Sequence, residues 1–268
     1  MRSWSLLAPV VLGTAALLVA APAHAVDHNN IDSNRPLRFD DAETIAFREL
    51  ALETGLGLGW PRRRPLGLAL DAEAIYGFAM NSHLTFGFDP SIGGRAGSRG
   101  TGFDFGDVAV GVQHNFNREY NNTPAFSIRS DLYVPTGRDS QGVGFRVRGI
   151  MSKTVQQYNR LHLNLDLNAN PGAGRGEREF NPGVILGYSR PIGYPRKFNQ
   201  TGLAQLGIQA GPKSGAGPIV TVGIGFRKQV TVRSVFDIGI ESDVAGFNGT
   251  PRDNIRFVIG YSVGLPTR

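Results

Sequence analysis

Twelve residues of this chain have the types and spacing to do chemistry as a group: Glu53, Glu73, Asp107, Arg129, Asp131, Arg146, Arg148, His162, Asn164, Asp166, Glu241 and Arg256. They fall on the polar side of apolar/polar alternations. The clearest alternation is Leu161–Asn170, where Leu161, Leu163, Leu165 and Leu167 alternate with His162, Asn164, Asp166 and Asn168. Successive side chains of a strand point to opposite faces, so one face here is aliphatic and the other carries an imidazole, amides and a carboxylate. Acids and arginines gathered on one enclosed face have two uses. They can pair with one another, as buried charges must, because desolvation costs several kcal/mol per ion. They can also line a polar path that guides a solute.

Hairpin symmetry predicts which of them meet. A loop centred between residues 138 and 139 sets Asp131 opposite Arg146 and Arg129 opposite Arg148. A turn centred near residue 157 sets Arg148 opposite Asp166, and the last hairpin brings Glu241 to Arg256. Asp131, Arg146, Arg148 and Asp166 are therefore expected to form one connected cluster.

Catalytic chemistry has little support. A covalent mechanism needs a nucleophile with an oriented base. Ser82-His83 are adjacent in a predicted tight turn, which is poor geometry for such a pair, and no HExxH, GxSxG or spaced ligand set occurs. Gly211-Pro212-Lys213-Ser214 has proline where a phosphate loop would continue, and Gly55-Leu56-Gly57-Leu58-Gly59 reads as small inward residues of a strand. The chain has no cysteine, which excludes disulfides, thiol catalysis and cysteine metal sites. The expectation is a protein that is not an enzyme and uses no metal or cofactor.

The elements that must position the twelve residues are strands. Twelve candidates cover 48–59, 66–77, 82–90, 103–116, 124–134, 143–155, 159–170, 178–190, 199–211, 217–228, 231–244 and 254–265. Their lengths suit tilted strands crossing a bilayer. Backbone groups in lipid must all be paired, so a spanning sheet has to close. Residues 1–25 read as a secretory signal peptide: Arg2, an apolar run from Leu6 to Leu18, and Ala23-His24-Ala25 as the cleavage site. The fold class expected is all-β, a transmembrane antiparallel up-and-down barrel of about twelve strands over residues 48–268, preceded by an N-terminal periplasmic segment at 26–47. With 36 glycines and 41% hydrophobic residues, the composition suits strands apolar on one face only. An even strand count puts both termini in the periplasm. Aromatics gather near strand ends, among them Trp60, Tyr76, Phe86, Phe116, Tyr133 and Phe198, as interfacial girdles would.

Export and a net charge of only +6 argue against nucleic acid as a partner. The partners expected are outer-membrane lipid, lipopolysaccharide and a small-molecule solute. Arg62, Arg63, Arg64, Arg95, Arg99, Arg138, Arg175, Lys213 and Arg252 all fall in or beside outward loops, where arginine matches phosphate geometry.

Several segments also resemble a family of bacterial outer-membrane transporters named for the meta-cleavage pathway of phenol degradation. They are Arg35-Pro36-Leu37 with Asp40-Asp41-Ala42, Glu73-Ala74-Ile75-Tyr76-Gly77, Phe105-Gly106-Asp107-Val108, Tyr133-Val134-Pro135-Thr136-Gly137-Arg138 and Leu161-His162-Leu163-Asn164. The resemblance implies an outer-membrane barrel with a transport role. The function expected is a porin-like channel for small solutes, aromatic or hydrophobic ones included. The alternative is a structural or surface-interaction barrel with a closed lumen.

Overall fold

The computed structural model describes residues 35–61, 66–93, 102–138, 140, 142–248, 250 and 252–266. The signal peptide and the loop arginines Arg62, Arg63, Arg64, Arg95 and Arg99 lie outside the described residues. In chain order the strands are β1 (Leu50–Pro61), β2 (Gly67–Ala79), β3 (Ser82–Phe88), β4 (Ser91–Gly93), β5 (Phe103–Asp104), β6 (Val108–Asn117) and β7 (Ala125–Val134). They continue as β8 (Gly144–Val155), β9 (Asn159–Ala169), β10 (Phe180–Pro191), β11 (Gln200–Gln209), β12 (Ile219–Thr231), β13 (Ser234–Gly246) and β14 (Asp253–Leu265). All pairings are antiparallel, and β1 bonds to both β2 and β14, which closes the sheet.

Twelve long strands form the staves. The short β4 and β5 prolong the wall beyond β3, where Pro90 interrupts the ladder before β4 resumes the pairing with β2. The expected staves agree with the observed ones to within about three residues, except the expected strand 103–116, which breaks at 105–107 into the short β5, paired with β4, and the stave β6, paired with β3. Three connections at one end are tight turns, residues 80–81, 156–158 and 232–233, the other two span 118–124 and 192–199, and both β1 and β14 have their free ends there. Short turns mark the periplasmic end of such barrels.

Burial is inverted relative to a soluble sandwich. The faces turned outward are apolar and open, with Leu56, Phe86, Val110, Leu132, Leu186, Ile224 and Ile259 all exposed. The faces turned inward are polar and buried, with Gln113, Arg129, Asp131, Arg148, His162, Asn164 and Glu241 among them. A belt of exposed aliphatic side chains around a polar interior is stable only with lipid outside. Most of the expected girdle aromatics, such as Trp60, Phe86, Phe116 and Phe198, are exposed on this belt. Tyr133 is a correction: it lies on an inward position and lines two internal cavities.

The N-terminal segment is the larger correction. Expected on the periplasmic side, its described part passes into the barrel. The chain enters beside Gly77, whose carbonyl accepts the Arg48 N–H at 2.6 Å and whose N–H donates to Glu49 at 2.9 Å. A Cβ at Gly77 would collide with the carbonyl oxygen of Ala46, so only glycine lets the two backbones pass. Residues 35–46 then cross the lumen as a strap. Leu37 and Phe39 are fully buried and form a small apolar core with the inward Ile185 and Leu203. A Cβ at Gly187 would sit 2.5 Å from the Phe39 ring, so the wall is thinned where the ring packs. Pro36 and Leu37 lie against Gly225 and Gly223 in the same way.

Inside and outside are testable at one residue. Leu165 is 51% exposed at the middle of β9 and faces lipid. Leu165→Arg should cost about 2–4 kcal/mol in urea-induced unfolding from lipid vesicles, whereas Leu165→Phe should change stability little.

Candidate functional site

The strap and the wall it meets form one charge network. Arg146 contacts Asp131 at 2.8 Å, and Asp131 contacts Arg129 at 3.0 Å. Arg129 reaches Glu73 at 2.8 Å and the strap's Asp40 at 3.9 Å. Asp40 contacts Arg148 at 2.6 Å, and Arg148 contacts Asp166 at 2.6 Å. The registers place Asp131 opposite Arg146, Arg129 opposite Arg148, and Arg148 opposite Asp166. The expected cluster is connected, but its link is Asp40, a residue absent from the expected set.

That link has a clear physical reason. Arg129 and Arg148 are directly cross-strand, and like charges so placed repel. Asp40 inserts a carboxylate between them. Its backbone is clamped as well: its N–H donates to Asn164 Oδ1 at 2.7 Å, and Asn164 Nδ2 donates to its carbonyl at 3.0 Å. One amide side chain thus satisfies both backbone polar groups of a buried residue.

Neighbouring strap residues are held similarly. Ala42 N–H donates to Ser152 Oγ at 3.0 Å, and Asn115 Nδ2 donates to the Ala42 carbonyl at 2.8 Å. Gln113 Nε2 donates to the carbonyls of Asp41 and Glu43. Arg160 pairs with Asp41 at 2.8 Å and Glu43 at 2.9 Å. Burial pushes the Asp41 carboxyl above its usual range, and the Arg160 guanidinium and Ser152 hydroxyl pull it back only in part. At the far end, Arg35 meets Glu53 at 2.5 Å, and Arg38 meets Glu241 at 3.1 Å. Glu241 also pairs with Arg256 and accepts from Gln205 Nε2 at 2.6 Å.

The expected site residues can now be placed. Glu53, Glu73, Arg129, Asp131, Arg146, Arg148, His162, Asn164, Asp166, Glu241 and Arg256 all sit on inward positions of the staves. Asp107 stands at the outer mouth, just before β6, where it accepts from the Gly137 N–H at 3.3 Å and pairs with Ser140 Oγ. His162 is a structural bridge, 3.0 Å from both Ser152 Oγ and Ser189 Oγ, with its ring 5.0 Å from that of Phe39. The residues missed are Arg35, Arg38, Asp40 and Asp41. Ser82 pairs with His114 at 2.8 Å rather than with its neighbour His83. Among the described residues, no group of three or more His, Cys, Asp or Glu is placed to hold a metal ion.

Outward of the strap the lumen opens into a chamber of about 340 Å³. Its floor includes Arg35, which packs on Gly55, with Arg38 and Arg129, and one wall is almost bare backbone at Gly57, Gly59 and Gly67. A second cavity of about 280 Å³, lined by Asn168, Asn170, Asn181 and Ser140, lies nearer the mouth, and Asp107 and Tyr133 line both. The mouth is latched from inside the sheet. Thr136 Oγ1 donates to the Gly106 carbonyl at 2.8 Å and accepts the Val108 N–H at 3.1 Å, and Arg138 N–H donates to Asp104 at 2.7 Å.

A closed antiparallel barrel of twelve staves, lipid-facing outside and polar within, is the architecture of outer-membrane β-barrels. Residues 55–257 match the family described as "Putative MetA-pathway of phenol degradation", and the chain belongs to that family. No curated protein sequence matches the chain. In structure it is similar to an outer membrane channel from Pseudomonas putida F1, with a TM-score of 0.66 at 14% identity over 84% of this chain and 98% of that one. It is also similar to the NanC porin, with a TM-score of 0.56 at 11% identity over 81% of this chain and 100% of that one.

Two substitutions probe the strap. Arg148→Met leaves Asp40 and Asp166 without their shared cation and should cost roughly 3–5 kcal/mol in unfolding. Gly187→Leu removes no charge but denies Phe39 its place. Because the chain has no cysteine, a Leu37→Cys probe is unique. It should resist a water-soluble maleimide in the otherwise unchanged barrel and react readily once Gly187→Leu is added.

Proposed function

We propose that the chain is a narrow, porin-like channel of the outer membrane for small solutes, with the strap as its constriction. The observation that carries this reading is the outward chamber: a partly open space of about 340 Å³, lined by charged groups, glycine backbone and apolar side chains and floored by residues of the strap. A purely structural barrel has no need of such a space, since side chains can fill the bore. Twelve strands lie between the eight that give a filled interior and the sixteen that give an aqueous channel. The strap takes up the difference at one level and leaves the chamber at another.

The solute class follows from two sources. The family's description names phenol degradation, which favours small organic solutes, aromatic ones among them; the P. putida protein of similar fold is called a channel, which supports the transport role and says nothing of the solute. The glycine wall offers a flat face against which a planar ring can lie. Export behind a cleaved signal peptide and loose contact between outer-loop cations and lipopolysaccharide phosphates complete the proposal. Arg138, Arg175, Lys213 and Arg252 are the described cations placed for that contact.

Single-channel recording tests the central claim. The unmodified barrel should show a small conductance in planar bilayers, and deletion of residues 35–46 should raise it several-fold. If neither form conducts and proteoliposomes take up no solute, the closed structural barrel is the correct reading.

A further inference from the structure

The chamber is lined by charges of both signs, and they are not evenly arranged. Register places Asp71, Asp89 and Asp107 in one cross-strand row: Ala72 pairs with Phe88 and Phe88 with Val108, so the three acids stand beside one another on β2, after β3 and before β6. All three line the chamber. Asp107 is engaged by the mouth latch. Asp71 makes no hydrogen bond or ion pair among the described residues.

The other side reverses the sign. Arg38 rises from the strap and Arg256 projects from β14, and both turn to Glu241. Glu241 is only 1% exposed, whereas each arginine side chain is 31% exposed. The carboxylate is thus hidden behind its partners, and the surface met by a solute is guanidinium. Asp131 is hidden behind Arg146 in the same way, 1% against 12% exposed. Asp253 lines the basic side too, near the rim. A carboxylate with no hydrogen bond or ion pair among the described residues, attracted only at longer range by Arg35, therefore faces one part of the chamber and half-open guanidiniums face another; between them on β1 lie Gly55, beneath the Arg35 side chain, and the open Gly57 and Gly59.

We infer that the chamber is a binding site for small zwitterions, molecules carrying an ammonium and a carboxylate on one short skeleton. The ammonium meets Asp71, with Asp89 beside it. The carboxylate meets Arg38 and Arg256, whose forks suit a carboxylate better than a point charge does. The glycine wall takes the skeleton between the two ends. A chamber of about 340 Å³ holds a molecule of amino-acid size and lies in the range of small-molecule pockets. A singly charged solute satisfies one side and leaves the other facing it with nothing to pair.

The inference rests on the channel reading only in treating the chamber as the solute's first stop, and binding can be measured without transport. The probes are straight-chain ω-amino acids, with the carboxylic acids and alkylamines of the same chain lengths, titrated calorimetrically into the intact barrel in detergent. One length of amino acid should bind roughly tenfold or more tightly than both of its singly charged counterparts. Asp71→Asn, which breaks no hydrogen bond or ion pair among the described residues, should reduce that amino acid to the affinity of the plain acid, and Arg256→Gln should reduce it to that of the amine. Equal binding by the amine would make this a cation site, and equal binding by the acid an anion site. Either result, or no binding by any probe, overturns the proposal. Zwitterion binding in a barrel that conducts nothing would refute the channel and leave the site intact.

Discussion

The interior is organised around a repulsion. Two antiparallel staves place Arg129 and Arg148 directly across from each other on the buried face. Within the wall, each arginine has a carboxylate partner, Asp131 and Asp166 respectively. Neither partner lies between the two guanidiniums. Asp40 does, and it comes from outside the sheet. A charge in the strap therefore completes a network that the wall leaves unfinished, and the Asn164 clamp holds that charge in place. The apolar contacts of Leu37 and Phe39 add about 1.5–3 kcal/mol each for burial. The direction and depth of the strap are set by the charges, because an unpaired buried ion costs more than a misplaced methyl group gains.

How much of this could be read from the residues depends on the kind of regularity involved. Strand alternation has a period of two and repeats twelve times, so the staves and their outward faces were legible. Hairpin symmetry extended that to register, and the pairs Asp131–Arg146, Arg148–Asp166 and Glu241–Arg256 followed. The strap has no period. Residues 35–46 are mixed in polarity and irregular, and such a stretch ahead of a barrel reads as a tail. Two signals did point inward. Arg35, Arg38, Asp40 and Asp41 are a dense set of both signs, complementary to a wall carrying both signs. Gly187, Gly223, Gly225 and Gly239 fall on inward positions where a filled barrel would have bulk, which implies that something else fills the space.

The segments that carry the family resemblance take on a mechanical meaning in the fold. Arg35-Pro36-Leu37 and Asp40-Asp41-Ala42 are the strap itself. Glu73 anchors Arg129, Gly77 makes room for the incoming chain, and His162 and Asn164 receive Phe39 and Asp40. The two remaining segments bind each other at the mouth: Thr136 and Gly137 hold Gly106, Asp107 and Val108. These short motifs, scattered along the chain, meet at two places, the strap's seat and the rim of the chamber. One occupies the lumen and the other ties the strand ends together at the opening.

A lumen that mixes acids and bases is usually expected to treat all ions alike. That expectation counts residues, whereas a solute responds to the groups it can touch. Here depth separates the signs: the carboxylates that satisfy Arg38, Arg256 and Arg146 lie behind them, and the acids of β2 and its neighbours lie in front. In the low-dielectric interior the deep charges stabilise the wall, and the shallow ones set the field across the chamber. The strap matters to both layers, since Arg38 belongs to the shallow set and Asp40 to the deep one. A shift of the strap would therefore alter the width of the lumen and the field within it together, which ties both properties to the same segment, residues 35–46.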